Sequence, residues 1–445
     1  MSTMFTLFSF LIAITVLVGF HELGHFSVAK LFRVTVLTFS IGFGRSIWAT
    51  RGGVNRTKFS IGMIPLGGYV KMLDDGDDVL PENREGVFSS KPAWQKSLIV
   101  IAGPLANFVL TFILFAIVFS LSATALKPVL GEPRVESVLY ASGLRGGETV
   151  LQINDRKVSS WSDLRWEMIR FSGDRLDLLV RQEGSNTPQT IKLDFLEQDS
   201  PIDWDAIGIS APRIELLPIV GRIDATGTAF LSDLAVGDQI VRSDQTPIRT
   251  WSDFVTLIKA KPGESVSIDV ERDDQLVTIS LLVGLNENSE GRIGVAPDPG
   301  GIIQEELIDR NGITIFGSII KSFQRTLDLI GFTSRMIIGL ITGDVGLNNL
   351  AGPLVIADQA GKTAEIGLSA FLSFLAVLSI SLGVINLFPL PMLDGGHLVF
   401  HLYELFLGKK LPERVIVTAQ QIGMICLTVL MVFVITNDIL RYLGN

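Results

Sequence analysis

A single cysteine, Cys426, serves all 445 residues. That excludes an intrachain disulfide, and its place in the last apolar run is that of a small core residue. Histidine is almost as scarce: the four present fall in two pairs four residues apart, His21 with His25 and His397 with His401. Charged residues make up 19% of the chain, with a formal net charge of −9, an acidic balance that argues against a nucleic-acid partner. Charge is missing altogether from Phe5 to Phe20. This run also lacks a basic leading segment and a small-residue cleavage site, so it is expected to be retained and not removed as a signal peptide.

Apolar residues are abundant instead, at 47% with a mean hydropathy of +0.43, too apolar for an ordinary soluble chain and too polar for one that is all span. A spanning helix needs roughly 20 mainly apolar residues. Four runs meet that length: Phe5 to Lys30, Leu98 to Leu126, Phe371 to Leu393 and Val415 to Leu443. The polar stretch between the second and third, about 240 residues, is long enough for two small domains.

His21-Glu22-Leu23-Gly24-His25 closes the first run. Residues four apart share a helix face, so both imidazoles can reach one ion, as in HExxH zinc proteases. Glu22 then flanks the ion without ligating it, placed to take a proton from water activated there. Ionisable side chains at membrane depth usually face a protein interior or a wet cavity and carry a function.

A catalytic zinc site takes three protein ligands and an open position, so a third must come from elsewhere. The strongest candidate is Asp394, in the stretch Asn386-Leu387-Phe388-Pro389-Leu390-Pro391-Met392-Leu393-Asp394-Gly395-Gly396. Pro389 and Pro391 lack backbone donors and Gly395 and Gly396 permit tight turning, so the helix is expected to unwind there. Non-helical backbone at that depth must be buried or line a wet cavity. His397 and His401 are the rival ligands; the plainer reading puts both past the turn at the membrane surface, donating to backbone or water, and the alternative to it makes His397 a supporting residue around the ion.

Through HELGH and the NLFPLPMLDGG stretch the chain resembles the site-2 proteases, the family of intramembrane zinc metalloproteases. The likeness extends to Ala102-Gly103-Pro104-Leu105-Ala106-Asn107 in the second run and to a duplicated insert. It implies that His21, His25 and Asp394 hold Zn²⁺, that Glu22 activates water, and that Asn386 helps hold the substrate backbone, with Pro389 and Pro391 beside it. The substrate it implies is a single-span membrane protein such as an anti-sigma factor, with remnant signal peptides as a further class, cut in regulated intramembrane proteolysis of the envelope stress response. Two other classes explain less. A metal transporter gives no reason for the insert, and a non-catalytic scaffold gives none for Glu22.

The insert repeats itself. Trp161-Ser162-Asp163-Leu164 recurs as Trp251-Ser252-Asp253-Phe254, and the same offset pairs Leu144 with Leu234, Gly147 with Gly237 and Glu148 with Asp238. Each copy resembles a PDZ domain, with Ser162 or Ser252 as the expected helix cap. Such a pair can capture an extended peptide or act as a steric gate, which is the favoured role.

Lysine and arginine placement sets orientation. Ten basic against six acidic residues lie from Lys30 to Lys96, and Lys409, Lys410 and Arg414 sit between the last two runs, so both loops read as cytoplasmic. The insert carries 23 basic and 35 acidic residues from Ser122 to Gly367, a balance of −12, and is expected across the membrane. In a Gram-negative cell that is the periplasm, with the chain in the inner membrane and its active site towards the cytoplasm.

Two segments remain. Val34 to Trp48 and Thr57 to Val70 alternate β-type residues with glycines and read as one or two hairpins. By resemblance one re-enters the membrane near the zinc and pairs with substrate, which nominates Gly67, Gly68 and Tyr69. Ile313 to Leu340 has apolar residues at helical spacing, expected to lie along the membrane surface or to pack on the insert.

The resulting fold class is a polytopic α-helical membrane protein of four transmembrane helices, with a membrane-associated β-hairpin region and two inserted PDZ-like α+β domains. The expected divisions are 1–30, the HExxH helix; 31–96, the hairpin region; 97–126, the second helix; 127–212 and 213–300, the PDZ-like domains; and 301–367, the amphipathic region. The remainder divides into 368–397, the third helix with LDGG; 398–414, a cytoplasmic loop; and 415–445, the fourth helix.

Overall fold

The computed structural model describes residues 3–53, 56–74, 85–121, 125–170, 175–182, 185, 187–194, 207–212, 215–286, 289–303, 305–309, 314–346 and 351–443. The expected division at residue 213 and the start of the amphipathic segment at residue 313 fall outside them. The chain forms two compact units, Met1–Ala123 with Ile313–Asn445, and Thr124–Gly312.

In the first unit the helices Met4–Leu31, Ala93–Leu121, Leu368–Leu387 and Glu413–Leu440 are, among the described residues, long and apolar enough to cross a membrane. Leu7, Phe8, Val109, Ile425 and Val432 are exposed on them, which suits hydrocarbon and would be costly in water. The second span is the hub, packing against both the first and the third. A Cβ on Gly24 would lie 2.2 Å from the Ala102 carbonyl oxygen, so the first two spans meet backbone to backbone, as small residues allow in membranes. The second apolar run extends to Leu126 in the sequence, whereas the described helix is Ala93–Leu121. Ala125–Leu126 instead form a short strand with Ile308–Asp309, because apolar content does not distinguish helix from a short buried strand.

The third span ends at Leu387 and a new helix begins at Asp394. Between them Leu390 N donates to Phe388 O and Leu393 N to Leu390 O. Side chains at Gly395 and Gly396 would strike the carbonyl oxygens of Phe388 and Leu390 at 2.2 and 2.3 Å. The two glycines thus let the new helix start directly against the turn.

Val36–Gly52 and Thr57–Met72 make one folded-back β-ribbon. Phe39, Ser40 and Ile41 are each flanked by two partners: Phe59 and Val70, Ser60 and Tyr69, Ile61 and Gly68. The Gly68–Met72 segment therefore forms an edge, and no further strand joins this sheet among the described residues.

Helix Ile315–Thr342 packs on the second and third spans. It is inside-out: Ser318, Ser322 and Thr326 are buried, while Ile315, Phe316, Ile319, Ile320 and Phe323 are exposed. The inward hydroxyls are partly satisfied within the helix, Ser322 Oγ donating to Ser318 O at 2.6 Å and Thr326 Oγ1 to Ser322 O at 2.8 Å. An outward apolar face of this size matches lipid.

The second unit repeats one design. Thr149–Ile153, Arg156–Lys157, Arg175–Arg181 and Gln189–Asp194 form a four-stranded sheet, and Gln239–Ser243, Thr246–Pro247, Ser265–Arg272 and Gln275–Leu282 form another with the same strand order. Each has its own apolar core, one around Leu164 and Leu178, the other around Phe254 and Ile268. The helix caps lie two residues earlier than expected. Ser160 Oγ and Thr250 Oγ1 accept from Asp163 N and Asp253 N, because Trp161 and Trp251 are already helical.

The repeat-related pair Glu148 and Asp238 brace the turns before them, accepting from Arg145 N and Gly146 N and from Ala235 N respectively. Asp238 also takes two hydrogen bonds at 2.7 Å from Arg272. Burial alone would raise its pKa, but the bonds from Arg272 and Ala235 outweigh it and hold the carboxyl below its ordinary value of 3.8. A lowered folded pKa stabilises above the unfolded value, and that contribution is lost as pH falls through the folded one. Hydrogen-exchange protection of the Ser265–Arg272 strand should therefore be flat from pH 7 to about pH 5 and fall below about pH 4. Asp238→Asn should flatten this acid-side loss.

Candidate metal centre

His21 and His25 project from one face of the first span and are buried, each 9% exposed. Asp394 opens the helix after the third span, where a carboxylate also complements the helix dipole. Asp394 Oδ2 lies 3.1 Å from His21 Nε2 and 3.4 Å from His25 Nε2, and the two Nε2 atoms are 3.3 Å apart. Chain ends separated by more than 350 residues in sequence thus bring three ligand atoms into one small triangle. Among the described residues this is the one such group of three or more His, Cys, Asp or Glu.

The triangle fits zinc. Ligand atoms arranged tetrahedrally about Zn²⁺ at roughly 2.0–2.1 Å stand about 3.3–3.4 Å from one another, close to the three edges here. His25 Nδ1 donates to the Ile99 carbonyl at 2.8 Å. A carbonyl only accepts, so the ring's Nε2 keeps its lone pair facing the triangle. Asp394 Oδ2 is buried and without a conventional hydrogen bond. A lone pair and a carboxylate turned on one point away from water favour a cation there.

Glu22 lies beside this group, 8% exposed, and is not one of its three members. The edge of the β-ribbon reaches it: a Cβ on Gly68 would be 2.9 Å from Glu22 Cγ and 2.7 Å from Val18 Cγ1. Gly67 approaches Phe43, whose ring stacks on Tyr69 with 6.2 Å between centroids. Asn386 sits half-buried in the last turn of the third span, Pro389 is exposed in the connection, and Pro391 meets the last span at Gly423. His397 and His401 are outside the triangle. His397 contacts Phe400 and His401 contacts Phe88.

The second span contributes residues whose individual roles are not marked in the sequence. A Cβ on Gly103 would lie 2.2 Å from His25 Nε2, so only glycine lets that imidazole lie flat against the helix. Asn107, fully buried, places its amide 3.1 Å from His21 Nδ1. An isolated amide in an apolar run was the available signal; the Ile99 carbonyl left none, being backbone.

The chain is similar to known proteins along its length. The family model described as peptidase family M50 matches residues 9–430. The regulator of sigma-E protease RseP of Escherichia coli K12 is 35% identical over 450 residues, covering 99% of this chain and all of that protein. The regulator of sigma E protease of Salmonella typhi is 36% identical with the same coverage. A Vibrio cholerae relative named for zinc metalloprotease activity is 36% identical, covering 97% of this chain and 98% of its own. Over 20% of the chain there is also similarity to a PDZ domain of the SdrC-like protein from Listeria monocytogenes, at 18% identity and a TM-score of 0.17, too limited to bear on the fold.

Proposed function

The chain belongs to peptidase family M50, the site-2 proteases, and from that premise we propose how its residues divide the work and what they cut. It is an intramembrane zinc metalloprotease of sigma-E regulation, a multi-pass protein of the inner membrane. The observation that supports the proposed site most is the 3.1–3.4 Å triangle of His21, His25 and Asp394.

In this reading those three residues hold the zinc. Bound there, zinc supplies Lewis acidity, polarising a carbonyl and bringing the pKa of an activated water towards about 7. Glu22 takes the proton of the attacking water and passes it to the leaving amine. The Gly67-Gly68-Tyr69 edge accepts the substrate as an added strand, replacing the hydrogen bonds that an unwinding helix gives up. Gly68 lying against Glu22 supports this, since a strand added there runs past the general base. Asn386 orients the substrate backbone, while Pro389 and Pro391 keep the connection free of competing donors.

The substrate is a single-span membrane protein cut within its transmembrane helix, an anti-sigma factor above all, with remnant signal peptides as a further class. The name of the E. coli relative, a regulator of sigma-E protease, supports the first. The active site faces the cytoplasm and the duplicated insert the periplasm, a reading that the charge asymmetry of the loops supports. There the PDZ-like pair screens substrates by the bulk of their outer domains.

The full chain in detergent, given a single-span model substrate, should cut it within the span. A chelator should abolish cutting and added zinc should restore it. Cutting that survives complete metal removal would refute the reading.

A further inference from the structure

We propose that Asn107 is a positioning residue for the metal centre, its side-chain oxygen holding the Nδ1–H of His21 so that the Nε2 lone pair faces Asp394. The inference rests on the zinc site proposed above.

Both histidines are gripped from behind by the second span: His25 Nδ1 by the Ile99 carbonyl at 2.8 Å, and His21 Nδ1 by the Asn107 amide at 3.1 Å. For His25 the acceptor is fixed by its chemistry. For His21 it is not, because Asn107 can offer either end of its amide. As placed, Nδ2 faces the ring and Oδ1 is buried without a partner. That arrangement puts the ring proton on Nε2, where it can meet Asp394 but offers no lone pair to a metal. A half-turn of the amide exchanges Oδ1 and Nδ2 without moving any other atom. The orientation as placed leaves Oδ1 unpartnered, and only the rotated one frees Nε2 for a metal. Metal-ligating histidines almost always donate their second N–H to a carbonyl, carboxylate or water, and losing that partner typically weakens metal binding 10–100-fold.

The residue is built to hold its place. Asn107 is 0% exposed. Its backbone carbonyl accepts from Thr111 Oγ1 at 3.0 Å and from Ser379 Oγ, on the third span, at 2.8 Å. Thr111 Oγ1 also reaches the Ala376 carbonyl at 3.1 Å. Two spans therefore fix the asparagine that the first span's ligand leans on.

The test is zinc affinity by chelator competition on the full chain in detergent, comparing wild type, Asn107→Leu and Asn107→Asp. Leucine fills the volume without an acceptor, whereas aspartate restores the acceptor and removes the donor. The expected result is a 10–100-fold weakening for leucine and affinity within about threefold of wild type for aspartate. Nitrogen-15 spectra of the zinc-loaded wild type should show His21 protonated at Nδ1. Unchanged affinity in Asn107→Leu would overturn the proposal. So would a loss in Asn107→Asp as large as in the leucine variant, which would make the amide a donor or a packing element. If the leucine variant does not fold, the aspartate variant decides alone: retained affinity supports the acceptor role and tenfold or greater loss overturns it. Wild-type protein that binds no zinc would remove the proposed site itself, and this inference with it.

Discussion

Replacing Glu22 with glutamine is expected to lower turnover by about 10²–10⁴-fold while zinc stays bound. Glutamine keeps the shape of the side chain and removes its ability to take a proton at neutral pH. Glu22 lies outside the triangle of ligand atoms, so metal content should not follow activity. A loss of a thousandfold corresponds to about 4 kcal/mol of the barrier, within what one positioned general base contributes. Side-by-side zinc analysis and cleavage of a single-span substrate check the separation. If Glu22→Gln retains more than a tenth of wild-type turnover, the proton acceptor lies elsewhere.

Gly103→Ala should be nearly as damaging, by another route. Its new Cβ would meet His25 Nε2 at 2.2 Å, Cε1 at 2.6 Å and Cδ2 at 2.8 Å. The imidazole must then swing away, breaking its hydrogen bond to Ile99 and carrying the metal-facing nitrogen out of the triangle. A misplacement of about 1 Å near reacting groups can cost 10²-fold, and here zinc affinity should fall together with turnover. That joint loss distinguishes this variant from Glu22→Gln. Full zinc binding in Gly103→Ala would mean that the second span does not constrain His25.

The two ends of the candidate metal centre are legible because each is written locally. HELGH sets two imidazoles by helical spacing alone, and Pro389, Pro391, Gly395 and Gly396 announce a break that delivers Asp394. What joins them was not legible, since it is made of backbone and close approach: the Ile99 carbonyl, the bare Cα of Gly103, and the contact of Gly24 with Ala102. The amphipathic pattern of Ile315–Thr342 was visible too, but a pattern gives two faces without saying which solvent each meets. In the structure the hydroxyl face turns inward onto the spans and the apolar face outward. The insert's duplication was plain from Trp161 and Trp251, although these tryptophans drew the helix caps two residues too late. The ribbon's edge beside Glu22 depends on Ile41 pairing with both Ile61 and Gly68, a register that glycine content alone does not specify.

The central claim is that His21 and His25, near one end of the chain, share a single ion with Asp394, near the other. Metal analysis of purified full-length protein, wild type against Asp394→Ala, tests it most directly. Stoichiometric zinc in the wild type and its loss from the variant is the predicted result; equal zinc in both proteins would contradict the account.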